Sequence, residues 1–172
     1  MTNRPLTAVL VGAGHRGQLF ASYASLHPNQ LQIVGVAELS SLRRQQVAKT
    51  YQLPPERVFS SVEELVEQPQ LADFAINATM DHQHVPTSLP LLQRGYHLLL
   101  EKPFATHEAE MWKLVETARS CQRIVAICHV LRYAPFYRAI RERVSQGVIG
   151  DLISVQAVEH VSYHHVAVGY VR

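Results

Sequence analysis

Short apolar runs alternate with helical patterns along most of this chain. Six runs predict strands, and they cover residues 7–11, 31–37, 58–59, 73–78, 98–100 and 124–130. A short unbroken apolar run between turn residues is typical of a strand that is buried on both faces of a parallel sheet. The alternation therefore predicts an α/β fold with a doubly wound parallel sheet of the Rossmann type.

Apolar residues at helical spacing and recognisable end signals separate these strands. A capping box at Ser61 predicts a short helix, and Gly95 is expected to end a helix over residues 85–93. Helices are also expected after residue 17, from residue 40 or 41 to about 51, after a cap at Thr106, and over residues 134–146.

The alternation stops after residue 150. From residue 152 to 161, apolar and polar positions alternate, which predicts a half-buried strand after the Gly150-Asp151 turn. No partner strand follows before Arg172, and an unpaired edge strand needs a neighbour. We therefore expect a dinucleotide-type α/β domain over residues 1–150. Residues 151–172 then begin a second domain, or form a strand through which two copies associate.

Length and composition narrow the class of protein. Of the 172 residues, 47% are hydrophobic and 17% charged, so the chain can form a core of ordinary size. A net charge of +2 is too small to indicate a nucleic-acid partner, and no apolar run approaches a membrane span. Cys121 and Cys128 form no CxxC motif. We expect a cytoplasmic protein with reduced thiols and with neither a nucleic-acid nor a membrane partner.

A glycine-rich loop follows the first predicted strand and opens a helix. Gly12 allows a tight turn, Gly14 lets the backbone approach a pyrophosphate, and Gly17 lets helix and strand pack closely. The helix N-terminus offers amide donors to phosphates. A glycine turn without a ligand is the alternative. The loop residues expected to bind a dinucleotide are Gly12, Ala13, Gly14, His15, Arg16 and Gly17.

Glu38 lies 21 residues after Gly17, at the end of the second predicted strand. An acid at this place accepts hydrogen bonds from the adenosine ribose diol, and its charge repels a 2′-phosphate. The position therefore favours NAD over NADP. Arg43 and Arg44 leave NADP open, because a nearby arginine holds a 2′-phosphate in some sites; their alternative is a solvated helix face.

Glu101-Lys102-Pro103 follows the buried run Leu98-Leu99-Leu100 and so lies at the carboxyl edge of the predicted sheet. Ligands of open α/β sheets bind at that edge. Pro103 disfavours helical backbone at Lys102, which predicts a stiff charged corner suited to chemistry. The alternative is a Glu101–Lys102 surface ion pair, which contributes little to stability.

The loop after the fourth strand, Ala78-Thr79-Met80-Asp81-His82-Gln83-His84, contains two histidines and an aspartate. His82 and His84 are two residues apart and lack further ligands, so we expect no metal, and the same holds for His164-His165. Loop capping or cofactor contact is the expected role of this segment, including Ala78 and Thr79.

Taken together, several motifs resemble the Gfo/Idh/MocA family of oxidoreductases. They are the glycine loop, Asp81-His82-Gln83-His84, Gly95-Tyr96-His97 leading into Glu101-Lys102-Pro103-Phe104-Ala105, Arg132-Tyr133-Ala134-Pro135, and Gly147-Val148-Ile149-Gly150-Asp151. The resemblance covers essentially the whole chain. It implies a Rossmann domain followed by an α+β domain with a large open sheet, of which residues 151–172 would supply the first strand. The implied substrates are sugars, polyols and their derivatives.

The resemblance also implies roles for single residues. Thr79 and His84 would contact the cofactor, and Glu101 would approach the nicotinamide ribose. Lys102 matches the active-site lysine and also lies next to the cofactor. Arg132, with Pro135, matches positions near the cofactor and the domain junction.

The family's chemistry is hydride transfer between a nicotinamide cofactor and a secondary alcohol, with Lys102 as proton donor or base. Family members are longer than this chain, and their remaining catalytic groups lie in the second domain. The chain also ends inside a family pattern, with Val168 where a histidine is often found. We therefore expect a truncated dehydrogenase, inactive alone and homo-oligomeric when whole. The alternatives are a dinucleotide-binding module without turnover and a dimerisation fragment.

Overall fold

The fold is taken from a computed structural model, which describes residues 4–163 and residue 167. Its contacts divide the chain into two units, Met1–His129 and Val130–Arg172. The boundary expected at residue 150 stays a prediction. The first unit contains the sheet and its flanking helices.

Six parallel strands form one sheet in the first unit, in the order β3-β2-β1-β4-β5-β6. All six predicted strands are thus confirmed, although the sixth is shorter than expected. The strands are β1 Leu6–Val11, β2 Leu31–Ala37, β3 Val58–Phe59, β4 Phe74–Asn77, β5 His97–Leu100 and β6 Val125–Ile127.

Helices connect successive strands, as parallel pairing requires. The α-helices are α1 His15–Leu26, α2 Ser41–Thr50, α3 Val62–Glu67, α4 His84–Arg94, α5 Glu108–Ser120 and, in the second unit, α6 Pro135–Ser145. Three short 3₁₀ helices cover Pro55–Arg57, Asp81–Gln83 and Val130–Tyr133.

The helix ends follow local chemistry, with one difference from expectation. Ser61 caps α3, because its hydroxyl accepts from the amide of Glu64 at 3.3 Å. Gly95 ends α4 with a φ of 105°, a backbone that favours glycine. The expected cap at Thr106 is wrong by one residue. His107 is the N-cap of α5, while the Thr106 hydroxyl donates to the Glu110 carboxylate at 3.2 Å.

Alternate side chains of β1 supply two cores, one on each face of the sheet. Ala8 and Leu10 pack in one core, and Val9 and Val11 in the other. Helices α1 and α2 contribute buried residues to the first core, and α3, α4 and α5 to the second. Helices on both faces make the sheet doubly wound, as predicted.

The strand order reverses between β1 and β4, which are neighbours in the sheet. Chain connections run outward from β1 through β2 to β3, and from β4 through β5 to β6. The loops that leave β1 and β4 therefore diverge and open a crevice at the carboxyl edge, where open α/β sheets bind ligands.

The second unit differs from expectation. Helix α6 confirms the predicted helix, and Gly147 follows it with a φ of 71°. The strand expected over residues 152–161 is not formed, since these residues are exposed and have no regular secondary structure. A strand is stable only when its backbone groups pair with a neighbour, and the described part of this unit holds no other strand.

His164, His165 and Val168, which the sequence argument also used, lie outside the described residues. Among the residues that the structure does describe, no helix is both long enough and apolar enough to cross a membrane.

Candidate functional site

A cleft of about 570 Å³ lies at the carboxyl edge of the sheet, over the crevice beside β1 and β4. The segments that line it follow four neighbouring strands. They are Val11, Gly12 and Gly14 at and after the end of β1, residues 37–40 with Arg43 at and after the end of β2, residues 61–63 after β3, and residues 78–80, 82, 83 and 87 after β4. Four loops that are far apart in sequence thus form one binding cleft.

The three glycines of the loop meet three different environments. An added Cβ on Gly12, which has a φ of +81°, would lie 2.8 Å from the Ala78 carbonyl oxygen. On Gly17 it would lie 2.0 Å from the Gly12 carbonyl oxygen. On Gly14 it would meet nothing within 4 Å. Gly12 and Gly17 are therefore required by the fold, whereas Gly14 leaves space in the cleft.

Helix α1 begins beside that space without a side-chain cap. Gly14 is its N-cap residue, and no side chain accepts a hydrogen bond there. The first amides of a helix have no partner within the helix and attract anions. An open glycine beside an uncapped helix N-terminus fits the pyrophosphate of a dinucleotide.

Glu38 is buried at the side of the cleft and holds the glycine loop. Its Oε2 accepts from the Ala13 amide at 2.5 Å, and its Oε1 accepts from the Ser40 amide at 2.8 Å. A carboxylate has about four acceptor positions, so it retains capacity for a ribose diol. The Arg44 guanidinium donates to the carbonyl oxygens of Glu38 and Leu39, while Arg43 lines the cleft.

Asn77, at the end of β4, fixes the loop on the other side of the crevice. Its buried side chain accepts from the Thr79 hydroxyl at 2.9 Å and donates to the Thr87 and Ser88 hydroxyls, each at 2.9 Å. Thr79 and Ala78 line the cleft, as their expected roles require. Asn77 was not predicted as a site residue, although a polar residue at the end of a buried strand is the signal that marked Glu38.

His84 is fully buried and is not among the described residues that line the cleft. Its Nδ1 lies 2.6 Å from the Pro103 carbonyl oxygen, and its Nε2 lies 3.1 Å from the Thr79 carbonyl oxygen. Loop capping and cofactor contact were the two expected roles of its segment. For His84 the geometry favours loop support over direct contact with a cofactor.

At the Glu101-Lys102-Pro103 corner, Glu101 forms its ion pair with Arg16 and not with Lys102, the partner that the alternative interpretation required. Glu101 is buried, and its Oε1 lies 3.2 Å from Nε of Arg16. Its Oε2 accepts from the Lys102 amide at 2.7 Å. The Lys102–Pro103 peptide bond is cis. Glu101 thus pairs with the glycine loop, and Lys102 is exposed and outside the described lining of the cleft.

Cys128 lies buried beyond the end of β6, close enough to Glu101 to respond to its charge. Burial, and then the negative charge of Glu101, raise the pKa of the Cys128 thiol to about 11, while Arg16 acts in the opposite direction. The thiol is therefore protonated at neutral pH and is no nucleophile there. Cys121 and Cys128 are both free cysteines.

Two further expected site residues are not among the residues that line this cleft. Arg132 is exposed in the 3₁₀ helix Val130–Tyr133 of the second unit, and its contact with a cofactor stays a prediction. His15 is exposed at the start of α1. Within residues 4–163 and at residue 167, no three histidines, cysteines or acids are grouped as metal ligands.

Several lining residues were not anticipated. Residues 61–63 line the cleft because β3 pairs with β2, so the loop after β3 reaches the same edge. Thr87 does so from α4, the helix that follows the loop after β4. The order of the strands was the missing information, because a predicted set of strands does not by itself say which loops are neighbours.

Known proteins resemble this chain in sequence. The family model described as the oxidoreductase family with NAD-binding Rossmann fold, GFO_IDH_MocA, matches residues 6–129. Trans-1,2-dihydrobenzene-1,2-diol dehydrogenase of Mus musculus is 34% identical over 129 residues, which are 75% of this chain and 38% of the mouse protein. This chain therefore spans less than half the length of that relative.

Solved structures share the fold. The WlbA dehydrogenase of Bordetella pertussis, in complex with NADH and UDP-GlcNAcA, has a TM-score of 0.79 at 21% identity and covers 86% of this chain and 44% of its own. Myo-inositol 2-dehydrogenase of Lactobacillus plantarum has a TM-score of 0.79 at 19% identity, with 87% and 44% covered. The chain belongs to the Gfo/Idh/MocA family of oxidoreductases, and residues 6–129 are its NAD-binding Rossmann fold.

Proposed function

We propose that this chain is the cofactor-binding part of a dehydrogenase that transfers hydride between NAD and a secondary alcohol. The supporting observation is the pairing of open space at Gly14 with the buried Glu38 carboxylate across one cleft. Gly14 and the N-terminus of α1 would hold the pyrophosphate. Glu38 would bind the adenosine ribose and so favour NAD over NADP.

Lys102 is the residue that we propose for proton transfer. NAD, when bound, supplies the hydride acceptor for the reaction. The Lys102 ammonium would donate to the substrate oxygen, or its amine would take the hydroxyl proton. Glu101 holds the Lys102 amide and is itself held by Arg16, so the main chain at this corner is anchored to the glycine loop.

The proposed substrate class is a sugar, a polyol or a derivative of either. Similar proteins support this class, since they are a dihydrobenzene-diol dehydrogenase, an inositol dehydrogenase and a dehydrogenase in complex with UDP-GlcNAcA. Recognition of the particular substrate belongs to the whole protein, of which this chain spans less than half the length of its mouse relative.

A dinucleotide-binding module without turnover is the second candidate. The exposed position of Lys102, outside the described lining of the cleft, favours it for the chain by itself. Calorimetry with NADH and NADPH, followed by oxidation assays with inositol and with the dihydrodiol of benzene, separates the two. Binding with turnover supports the dehydrogenase, and binding without turnover supports the module. Absence of binding to either nucleotide contradicts both.

We also propose that copies of this protein associate with one another and that the protein is cytoplasmic. Apolar residues after α6 are exposed, among them Ile153, Val155 and Val158, and exposed apolar patches mark contact surfaces. Light scattering of the intact chain, compared with a chain ended at Asp151, tests whether this segment joins copies. The two free cysteines support a reducing compartment, which localisation of the tagged protein tests.

A further inference from the structure

We infer that His84 is a positioning residue of the proposed site, and that its ring holds the Lys102–Pro103 corner against the Thr79 loop. The inference rests on the proposed function for its meaning in catalysis. The contacts themselves are independent of that function. They join two loops that leave neighbouring strands of the sheet.

Main-chain pairing between β4 and β5 ends just below these loops. Asn77 and Leu100 are the last paired residues, and the Glu101 amide donates to the Asn77 carbonyl oxygen at 2.9 Å. Beyond that bond the chains separate, one toward Thr79 and the other toward Pro103. The imidazole of His84 bridges the gap, with 2.6 Å from Nδ1 to the Pro103 oxygen and 3.1 Å from Nε2 to the Thr79 oxygen.

The ring of His84 suits the two partners that it contacts. Both partners are main-chain carbonyl oxygens, which only accept hydrogen bonds. An imidazole N–H is a donor, so the ring can hold a carbonyl oxygen by donating to it. Because His84 is fully buried, water cannot replace either partner.

His84 is itself held in place from below. It is the first residue of α4, and the buried Asn77 side chain donates to the His84 carbonyl oxygen at 3.3 Å. The same amide donates to Ser88 one turn further along the helix. The ring therefore extends from a fixed backbone and can act as a spacer between the two loops.

This spacer holds the main chain on one side of Lys102, and Glu101 holds the other. The Lys102 amide donates to Glu101 Oε2, and the carbonyl oxygen of the next residue, Pro103, faces His84. Loss of the ring would release the corner while leaving Gly14 and Glu38 unchanged. We therefore expect His84 to affect the placement of Lys102 more than the binding of nucleotide.

The first test is a spectroscopic one on the unaltered chain. Nitrogen-15 spectra of the histidine rings, assigned by comparison with His84→Asn, show whether a ring N–H of His84 exchanges slowly with water. We expect a slowly exchanging ring proton on His84, because the ring is buried between two carbonyl oxygens. A ring proton that exchanges as fast as that of the exposed His107 would overturn the inference, whether or not the chain binds NAD.

The second test compares variants of the intact protein. His84→Phe removes both ring nitrogens, His84→Asn retains an amide donor, and His107→Ala is the control at an exposed histidine outside the cleft. We expect His84→Phe to speed hydrogen exchange at the amides of Lys102, Phe104 and Ala105. Its kcat should fall about tenfold to a hundredfold because the reacting group is misplaced, with the Kd for NADH nearly unchanged. His84→Asn should recover part of the loss.

Equal rates of hydrogen exchange at the Lys102, Phe104 and Ala105 amides in His84→Phe and His107→Ala would overturn the inference. A loss of NADH affinity as large as the loss of kcat would also overturn it. If no variant and no parent chain binds NADH, the proposed function fails. The ring spectra and the exchange rates then still decide the structural role of His84.

Discussion

Glu38 accepts a hydrogen bond from the main-chain amide of Ala13, with 2.5 Å between Oε2 and the nitrogen. The acid that follows β2 is thereby hydrogen-bonded to the loop that follows β1. The Gly12 amide adds a second link, to the Ala37 carbonyl oxygen at 2.9 Å. One carboxylate thus shapes the pyrophosphate loop and also offers its remaining acceptor positions to a ribose. Loop geometry and ribose recognition depend on the same side chain.

Glu38→Gln is expected to weaken NADH binding about tenfold or more. The neutral amide keeps one acceptor oxygen but sets an NH₂ group against the Ala13 or the Ser40 amide, and hydrogen bonds to charged groups contribute about 1.5–3 kcal/mol. Fluorescence titration with NADH measures the change. Glu63→Gln is the matched control, because Glu63 lines the same cleft but is exposed. Equal losses in the two variants would contradict the special role of Glu38.

Arg43 provides a test of cofactor preference. It lines the cleft near Glu38, whereas Arg44 is bound to main-chain oxygens. We expect NADH to bind more tightly than NADPH, because Glu38 repels the 2′-phosphate, and Arg43→Ala to weaken NADPH binding further with little effect on NADH. Parallel titrations with both nucleotides measure this, with Lys49→Ala as an exposed control on α2. Equal effects on the two nucleotides would argue against an Arg43–phosphate contact.

Gly14→Ala should weaken NADH binding while the fold stays stable, whereas Gly17→Ala should destabilise the fold. At Gly14 the new methyl group meets nothing in the protein, so the fold should be retained while the methyl occupies space proposed for the pyrophosphate. At Gly17 it would lie 2.0 Å from a main-chain oxygen, so the fold itself should be destabilised. Thermal melts and NADH titrations separate the two effects. Loss of stability in Gly14→Ala, or unchanged stability in Gly17→Ala, would contradict this division.

The strands and the glycine loop were predictable because their signals are local. An apolar run such as Leu98–Leu100 and a motif such as Gly12-x-Gly14-x-x-Gly17 each carry their own physical reason. The partners of buried polar groups were not predictable in the same way. Arg16 and Glu101 are 85 residues apart in the chain, and only the packing of α1 near the end of β5 brings them together.

His84 and residues 152–161 also show that a sequence pattern does not identify the groups that a residue contacts. A histidine beside a predicted site favoured cofactor contact, yet two carbonyl oxygens from separate loops surround its ring. The alternating pattern of residues 152–161 indicated a strand, yet alternation shows only that one face could be buried. Whether a strand forms depends on a neighbour that the pattern does not contain.

Cys128 gives a prediction of reactivity. With a thiol pKa of about 11, alkylation at pH 8 should be slow and should quicken as the pH rises toward that value, because the thiolate is the nucleophile. Glu101→Gln removes a charge that raises this pKa, so it should speed alkylation at pH 8, whereas Arg16→Ala should slow it further. Mass spectrometry of iodoacetamide-treated protein in a Cys121→Ser background measures the rates. Changes of the same sign in both variants would contradict this electrostatic account.

Asp73 joins the beginnings of β1 and β4 and should make the stability of the fold depend on acid pH. Its carboxylate accepts from the Thr7 amide at 2.8 Å and from the Thr7 hydroxyl at 2.9 Å, and Arg4 binds it from the exposed side. Hydrogen bonding from Arg4 is the largest effect on the pKa of this carboxyl and lowers it, and burial, the next largest, raises it. The two hydrogen bonds from Thr7 lower it again, so the pKa lies well below its usual range. A carboxyl whose pKa is lower in the folded than in the unfolded protein stabilises the fold at pH values above the unfolded pKa, which is about 4. This contribution is lost as the pH falls below that value.

Asp73→Asn should therefore lower the free energy of unfolding by about 1–3 kcal/mol at pH 7, and by less at pH 3. Urea unfolding at the two pH values measures the difference, with Glu116→Gln as a control at an exposed acid on α5. A difference between parent and Asp73→Asn that is as large at pH 3 as at pH 7 would show that the charge of Asp73 contributes nothing and that only its shape matters.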